Sequence, residues 1–317
     1  MSYSSHQSHR SHAKLTLVML IMGSLLAQTL ALGALESIQP RLKLPVGQTF
    51  KLKAASDSKM VQTVNGEKQT ILDSVSIVFA FEVQSVDETG DMTIKVTYDS
   101  IRVSEDAPAG KVSYDSASTA ESPPLTRGIA ALVGQSFIMR ITPDGRVRSV
   151  TGGDEMVAKA IEKHNVLSEP WKSSMSKLLQ DRFGNLSASE SMQGLFSIYP
   201  EKAVAVGERW SRKFEMTGNI AECFFKITDR KDGVLTIKAY AKIAPNPDTP
   251  PIQMGLAQVK SEATGTQEGT IRIEEATGMI LSIKETNKSS GNLLLITGGP
   301  EVRIPTSMTG STTVDKL

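Results

Sequence analysis

The sequence is short of the residues that carry most site chemistry. It has one cysteine, Cys223, and four histidines in 317 residues. A single cysteine rules out a disulfide within the chain. Folding must therefore depend on burial, which a chain of this size can supply at ~25 cal/mol per Å² of apolar surface. Cys223, beside Phe224 and Phe225, reads as a small buried residue. Three histidines lie in the first fourteen residues, which leaves His164. It shares helical spacing with Val157, Ala160 and Ile161 and reads as a packing or surface residue. Zinc sites take three or four His, Cys or carboxylate ligands, so no metal is expected.

Recognisable catalytic patterns are missing too. The sequence has no nucleophile elbow G-x-S-x-G, no phosphate-binding glycine fingerprint and no EF-hand loop. Ser56-Asp57-Ser58-Lys59 and Ser174-Met175-Ser176-Lys177 fit S-x-x-K but lack its S-D-N and K-T-G companions. The adjacent acids Asp154-Glu155 and Glu274-Glu275 suit a helix start and a hairpin end better than a glycosidase pair. No catalytic residue and no cofactor are expected.

Charge of one sign is absent as well: 35 basic residues stand against 34 acidic ones. That balance argues against nucleic acid as a partner. No apolar run beyond the N-terminal region is long enough to span a membrane. Residues 1–33 have the three-part layout of a secretory signal peptide. A polar segment carries Arg10 and Lys14, an apolar core runs from Leu15 to Leu26, and Ala31-Leu32-Gly33 forms an A-x-small cleavage site. Cleavage before Ala34 would place the mature protein in the periplasm or outside the cell.

What the chain does have is a short box that occurs three times: Val, Gly, an acid or amide, any residue, then a large aromatic. The copies are Val46-Gly47-Gln48-Thr49-Phe50, Val133-Gly134-Gln135-Ser136-Phe137 and Val206-Gly207-Glu208-Arg209-Trp210. In each, the Gly predicts a turn or bulge and the aromatic predicts the first buried anchor of a strand. Gly47, Gly134 and Gly207 are thus expected at positive φ, and Phe50, Phe137 and Trp210 inside.

Further correspondences follow in order. Phe81 to Lys95, turning at 87–91, resembles Phe225 to Lys238, turning at Lys231-Asp232-Gly233. Ile138 to Val150, turning at Pro143-Asp144-Gly145, resembles Ile271 to Ile283, turning at Ala276-Thr277-Gly278. A degenerate internal duplication is the reading these support. Asn65-Gly66 predicts a type I′ hairpin, and the change of parity at Ser100 predicts a bulge or strand end.

Residues 154–198 read as helical. Asp154 is the expected cap of a first helix. A second carries a stripe of Trp171, Met175, Leu178 and Leu179, and Ser187-Ala188-Ser189-Glu190 fits the capping box of a third. The expected fold is α+β and mostly β: an extended antiparallel sheet from two related halves, 34–153 and 199–317, with a helical insertion, 154–198, between them.

Several strings resemble a family of exported bacterial proteins catalogued only as a domain of unknown function. They are Leu44 to Lys53, Ala131 to Phe137, Tyr199 to Trp210 and Gly265 to Thr270. The resemblance implies export and a β-rich fold and brings no catalytic residues. The functional expectation is an exported, non-catalytic binding or envelope protein. The alternative is a periplasmic carrier of lipids or other hydrophobic ligands, with Trp171, Met175, Leu178 and Leu179 lining the site. A hydrolase is the third reading. The partner expected is a hydrophobic ligand or an envelope component.

Overall fold

Alternation of apolar and polar residues with period two generates the whole architecture. The computed structural model describes residues 36–108, 110–118, 126–162, 176–177, 179–216, 218–254 and 257–317. Its strands form one antiparallel sheet within the unit Gln39–Leu317. The first arm holds β1 (Thr49–Val64), β2 (Glu67–Val86), β3 (Met92–Ala107), the short β4 (Gly110–Asp115), β5 (Ser136–Ile141) and β6 (Val147–Thr151). Helices α1 (Gly153–Glu162) and α2 (Asn185–Phe196) follow. The second arm holds β7 (Arg209–Met216), β8 (Asn219–Lys231), β9 (Val234–Pro245), β10 (Ile252–Met254), β11 (Ala257–Ser261), β12 (Thr264–Glu274) and β13 (Ile280–Ile296). β14 (Val302–Lys316) pairs with β13 on one side and β1 on the other, which joins the arms. The order across the sheet is β6-β5-β3-β2-β1-β14-β13-β12-β9-β8-β7. The principal strands of the two arms thus run in the same spatial order, β1-β2-β3-β5-β6 and β7-β8-β9-β12-β13.

The three boxes are one structural device used three times. Gly47, Gly134 and Gly207 have φ of 82°, 81° and 92°. In each, the residue after the glycine donates its N–H to the carbonyl three positions back: Gln48 to Pro45, Gln135 to Leu132 and Glu208 to Ala205, at 3.0–3.1 Å. That is a type II turn, whose third position favours glycine. The glycine N–H then reaches the partner strand, to the carbonyls of Val83, Tyr98 and Ile227, at 2.8 Å in all three. The aromatic pairs with the residue two positions before that carbonyl: Phe50 with Phe81, Phe137 with Val96, Trp210 with Phe225. Phe50 and Phe137 are buried. Trp210 departs from expectation: it is half-buried, because β7 is an edge strand with no neighbour beyond it. Its ring stacks on Phe225 and its Nε1 donates to the Ile198 carbonyl at 3.1 Å.

Other local readings are met in the backbone. Asn65 and Gly66 both have positive φ, as a type I′ turn requires. The change of parity at Ser100 is a bulge, since Val78 faces Ser100 while Phe79 faces Tyr98. The capping box does not hold. Helix α2 begins at Asn185, so Ser187 lies inside it, and no side chain of its own caps it. Asp154, the expected cap of α1, supplies the cap of α2 instead. Its carboxylate accepts from Asn185 N at 3.0 Å and Asn185 Nδ2 at 2.7 Å, while Asn185 Oδ1 accepts from Gly153 N at 2.8 Å. Each helix start thus meets the orphan donors of the other.

The sheet curls around α2. Val147 N of β6 donates to Gln193 Oε1 of α2 at 2.9 Å. At the opposite edge of the sheet, Arg212 of β7 reaches the β5–β6 turn, donating to Asp144 O at 2.7 Å and Asp144 Oδ2 at 3.1 Å. Leu42 N donates to Pro143 O and Lys43 N to Thr277 O, both at 2.8 Å, and Tyr199 Oη donates to Gly278 O at 2.6 Å. These contacts close one end of the curled sheet over buried Leu42, Leu44, Phe196, Ile198 and Tyr199.

Candidate ligand-binding hollow

Strand parity decides which side chains enter the curled sheet. Ile227, Ile237, Ile271 and Ile283 lie abreast on β8, β9, β12 and β13, all buried. Every second residue from that row faces inward. On the second arm most of these positions carry small or polar residues, Ala221 and Cys223, Ala239 and Ala241, Gln267 and Gly269, Glu285 and Asn287, beside the larger Phe225 and Ile243. Small side chains leave space, and a cavity of about 360 Å³ lies there. Its wall runs from Ile77 and Phe79 of β2, past Val314, Ile283, Ile271, Ala241 and Phe225, to Phe214 of β7. Met192 and Leu195 of α2, with Ile198 beyond it, form the facing side.

The polar part of the wall is concentrated on β12–β14. Glu285 accepts a short hydrogen bond from Gln267 Nε2. It stands across from Gly269 on β12 and Thr312 on β14. A Cβ on Gly269 would come within 2.4 Å of Glu285 Cγ, so the missing side chain is what admits the carboxylate. Burial pushes the Glu285 carboxyl above its ordinary value, and the Gln267 hydrogen bond only partly offsets this. Asn287, two residues further along the same face, has a buried Oδ1 with no hydrogen-bond partner. Cys223 is buried and free, and its thiol is pushed up to about 12 by burial and then by the charges of Glu285 and Glu222. A neutral thiol at that value is a poor nucleophile.

The carrier site expected from the sequence falls mostly on residues that the structure does not describe. Of its four residues, Trp171, Met175 and Leu178 lie outside the described residues, as does His164. Leu179 is buried but is not part of the cavity wall. Among the described residues, the helical side of the wall comes from α2. The signal that would have found the hollow was in the strands: small and polar residues at inward parity. Trp210, Phe50 and Phe137 anchor strand starts, and none of the three lines the cavity. Among the described residues, no group of three or more His, Cys, Asp or Glu side chains stands close enough to hold a metal ion. Nor is any helix among them long and apolar enough to cross a membrane.

The sequence profile of a family of unknown function, DUF6263, matches residues 89–280. The chain belongs to that family. The matched span takes in the second and third boxes and leaves the first outside. No curated protein sequence matches the chain. Among solved structures, it is similar to one described under lipid–protein interactions in lipovitellin, at 10% identity and a TM-score of 0.48. That match covers 86% of this chain and 25% of the other, so the chain spans about a quarter of that protein. It is also similar to DynF of the dynemicin biosynthesis pathway of Micromonospora chersina, at 7% identity and a TM-score of 0.23, over 89% and 85% of the two chains. A third is an outer membrane channel of Pseudomonas putida F1, at 10% identity and a TM-score of 0.25, over 86% and 97%. All three scores are below 0.5.

Proposed function

We propose that this protein is a non-catalytic carrier that holds a hydrophobic ligand in the hollow of its sheet. The cavity carries the reading. At about 360 Å³ it falls within the range of small-molecule sites, and its wall is mostly apolar with a few convergent polar groups. Space of that size inside a core costs contacts and stability unless something fills it. The chemistry of the wall favours holding over turnover: the thiol is neutral, and Glu285 is hydrogen-bonded to an amide. The three-part N-terminus supports the companion proposal that the carrier works in the cell envelope or outside the cell, with a mature chain beginning near Ala34.

Native mass spectrometry of gently purified protein tests the carrier reading, together with uptake of the neutral apolar dye diphenylhexatriene by stripped protein. One small hydrophobic molecule per chain, exchangeable for the dye, is the expected result. Stripped, folded protein that takes up neither dye nor lipid would overturn it. Steady turnover of an ester, peptide, phosphate or glycoside substrate that vanishes with His164→Ala would restore the hydrolase reading.

A further inference from the structure

The cavity wall is selective in charge. Its inward polar side chains on β12–β14 are the carboxylate of Glu285, the amide of Gln267 and the hydroxyl of Thr312, and no Lys, Arg or His lines it among the described residues. Glu285 uses one oxygen on Gln267, leaving acceptor capacity on the other. A ligand donor placed at that oxygen gains a charge-assisted hydrogen bond in a poorly solvated space. An anionic head group would instead bring like charges together in a poorly solvated space with no cation to balance them.

We infer that the hollow takes a single-chain amphiphile whose polar end is a hydrogen-bond donor, cationic or uncharged, seated at Glu285 and Gln267, and that it discriminates against anionic amphiphiles. The inference rests on the carrier reading and adds the class of ligand. The cavity has room for roughly a dozen groups the size of a water molecule. That space suits a medium-length alkyl chain lying against Ala241, Phe225 and Ile271. The chain's apolar body meets the apolar wall, and its donor end meets β12 and β13.

Competition against bound diphenylhexatriene, using the full mature chain and sub-micellar tetradecylamine, tetradecanol and myristate, tests this. The amine and the alcohol should displace the dye, with myristate at least tenfold weaker than the amine. Glu285→Gln should shrink the amine-to-myristate ratio by tenfold or more and weaken tetradecanol by a smaller factor than the amine. Thr312→Lys, which puts a cation beside Glu285, should shift preference toward myristate and covers the case in which Glu285→Gln fails to fold. Myristate binding as tightly as the amine to the natural protein, or a preference that survives both substitutions, would overturn the inference. Dye uptake with no displacement by any amphiphile would also overturn it while leaving the carrier reading standing. Failure to take up the dye at all would instead count against the carrier reading itself.

Discussion

The two arms start on the same turn and run in the same strand order, yet one is filled and the other is hollow. On the first arm the inward positions carry large side chains. Phe50 stacks on Phe81 at 4.6 Å between centroids, Phe79 meets Tyr98 at 5.3 Å, and Phe196 of α2 meets Phe81 edge-on at 5.9 Å. Leu52, Ile94, Val96, Met139 and Ile141 complete that wall, all buried. On the second arm the matching face keeps Phe214, Phe225 and Ile271 but intersperses them with alanines, a cysteine, a glutamine and a glutamate, and there the cavity lies. Backbone pattern therefore sets the sheet, while side-chain volume on one face decides whether an arm becomes core or container.

The largest effects should come from exchanging these roles. Phe81 is 1% exposed, and Phe81→Ala should destabilise the protein by about 3–5 kcal/mol in denaturant unfolding. Ala241→Phe adds volume where there is space. It should abolish dye uptake and change stability by less than the roughly 1–3 kcal/mol typical of overpacking a filled core. If Ala241→Phe costs as much stability as Phe81→Ala, the second arm is as full as the first and the comparison fails.

The comparison also separates what the sequence disclosed from what it hid. The boxes, the Asn65-Gly66 hairpin and the bulge opposite Val78 are local: a turn chemistry or a parity change states each one in a few residues. The cap of α2 is not local, because Asp154 and Asn185 lie 31 residues apart and no helix-start pattern links them. The hollow was half legible. Arg212 broke the alternation of Trp210 and Phe214, and it is an inward side chain, 9% exposed, bound to Asp144 and Glu201. Reading parity outward from Ile227, Ile237, Ile271 and Ile283 places Cys223, Ala241, Gln267 and Glu285 inside. Only the curl of the sheet brings those positions to a single cavity, and curl is set by long-range pairing.

An intermediate effect tests the equivalence of the strand starts. No atom lies within 4 Å of the Cβ that Gly47, Gly134 or Gly207 would carry. Substitution there meets only the backbone cost of positive φ, roughly 1–3 kcal/mol for a β-branched residue. Gly47→Val in the first arm and Gly207→Val in the second should therefore lower stability equally, within about 0.5 kcal/mol. A large difference between them, measured by chemical unfolding, would mean the shared turn has different roles in the filled and hollow arms.

The smallest effect is in pH dependence, where the arms should differ in sign. Asp144 ends the first arm. Burial raises its carboxyl, but hydrogen bonds from Thr142 and Arg212 and the charges of Arg146 and Arg212 outweigh that and hold it below its ordinary 3.8. A depressed acid contributes stability that is present above 3.8 and lost as pH falls through the lower folded value. Glu285 in the second arm is raised above its ordinary 4.5, chiefly by burial. Its contribution is fully present below 4.5 and is lost as pH rises through the folded value, where the carboxylate must ionise in the hollow. Asp144→Asn should flatten part of the acid-side loss below pH 3.8, a range in which Asp87 and Asp115 also titrate from lowered values. Glu285→Gln should flatten the decline above pH 4.5 and leave the acid side unchanged. Denaturant midpoints at pH 3, 4, 5, 6 and 8 for the three proteins measure both slopes. A Glu285→Gln protein that keeps the natural slope above pH 4.5 would place that carboxylate in water, and the polar end of the hollow would lose its basis.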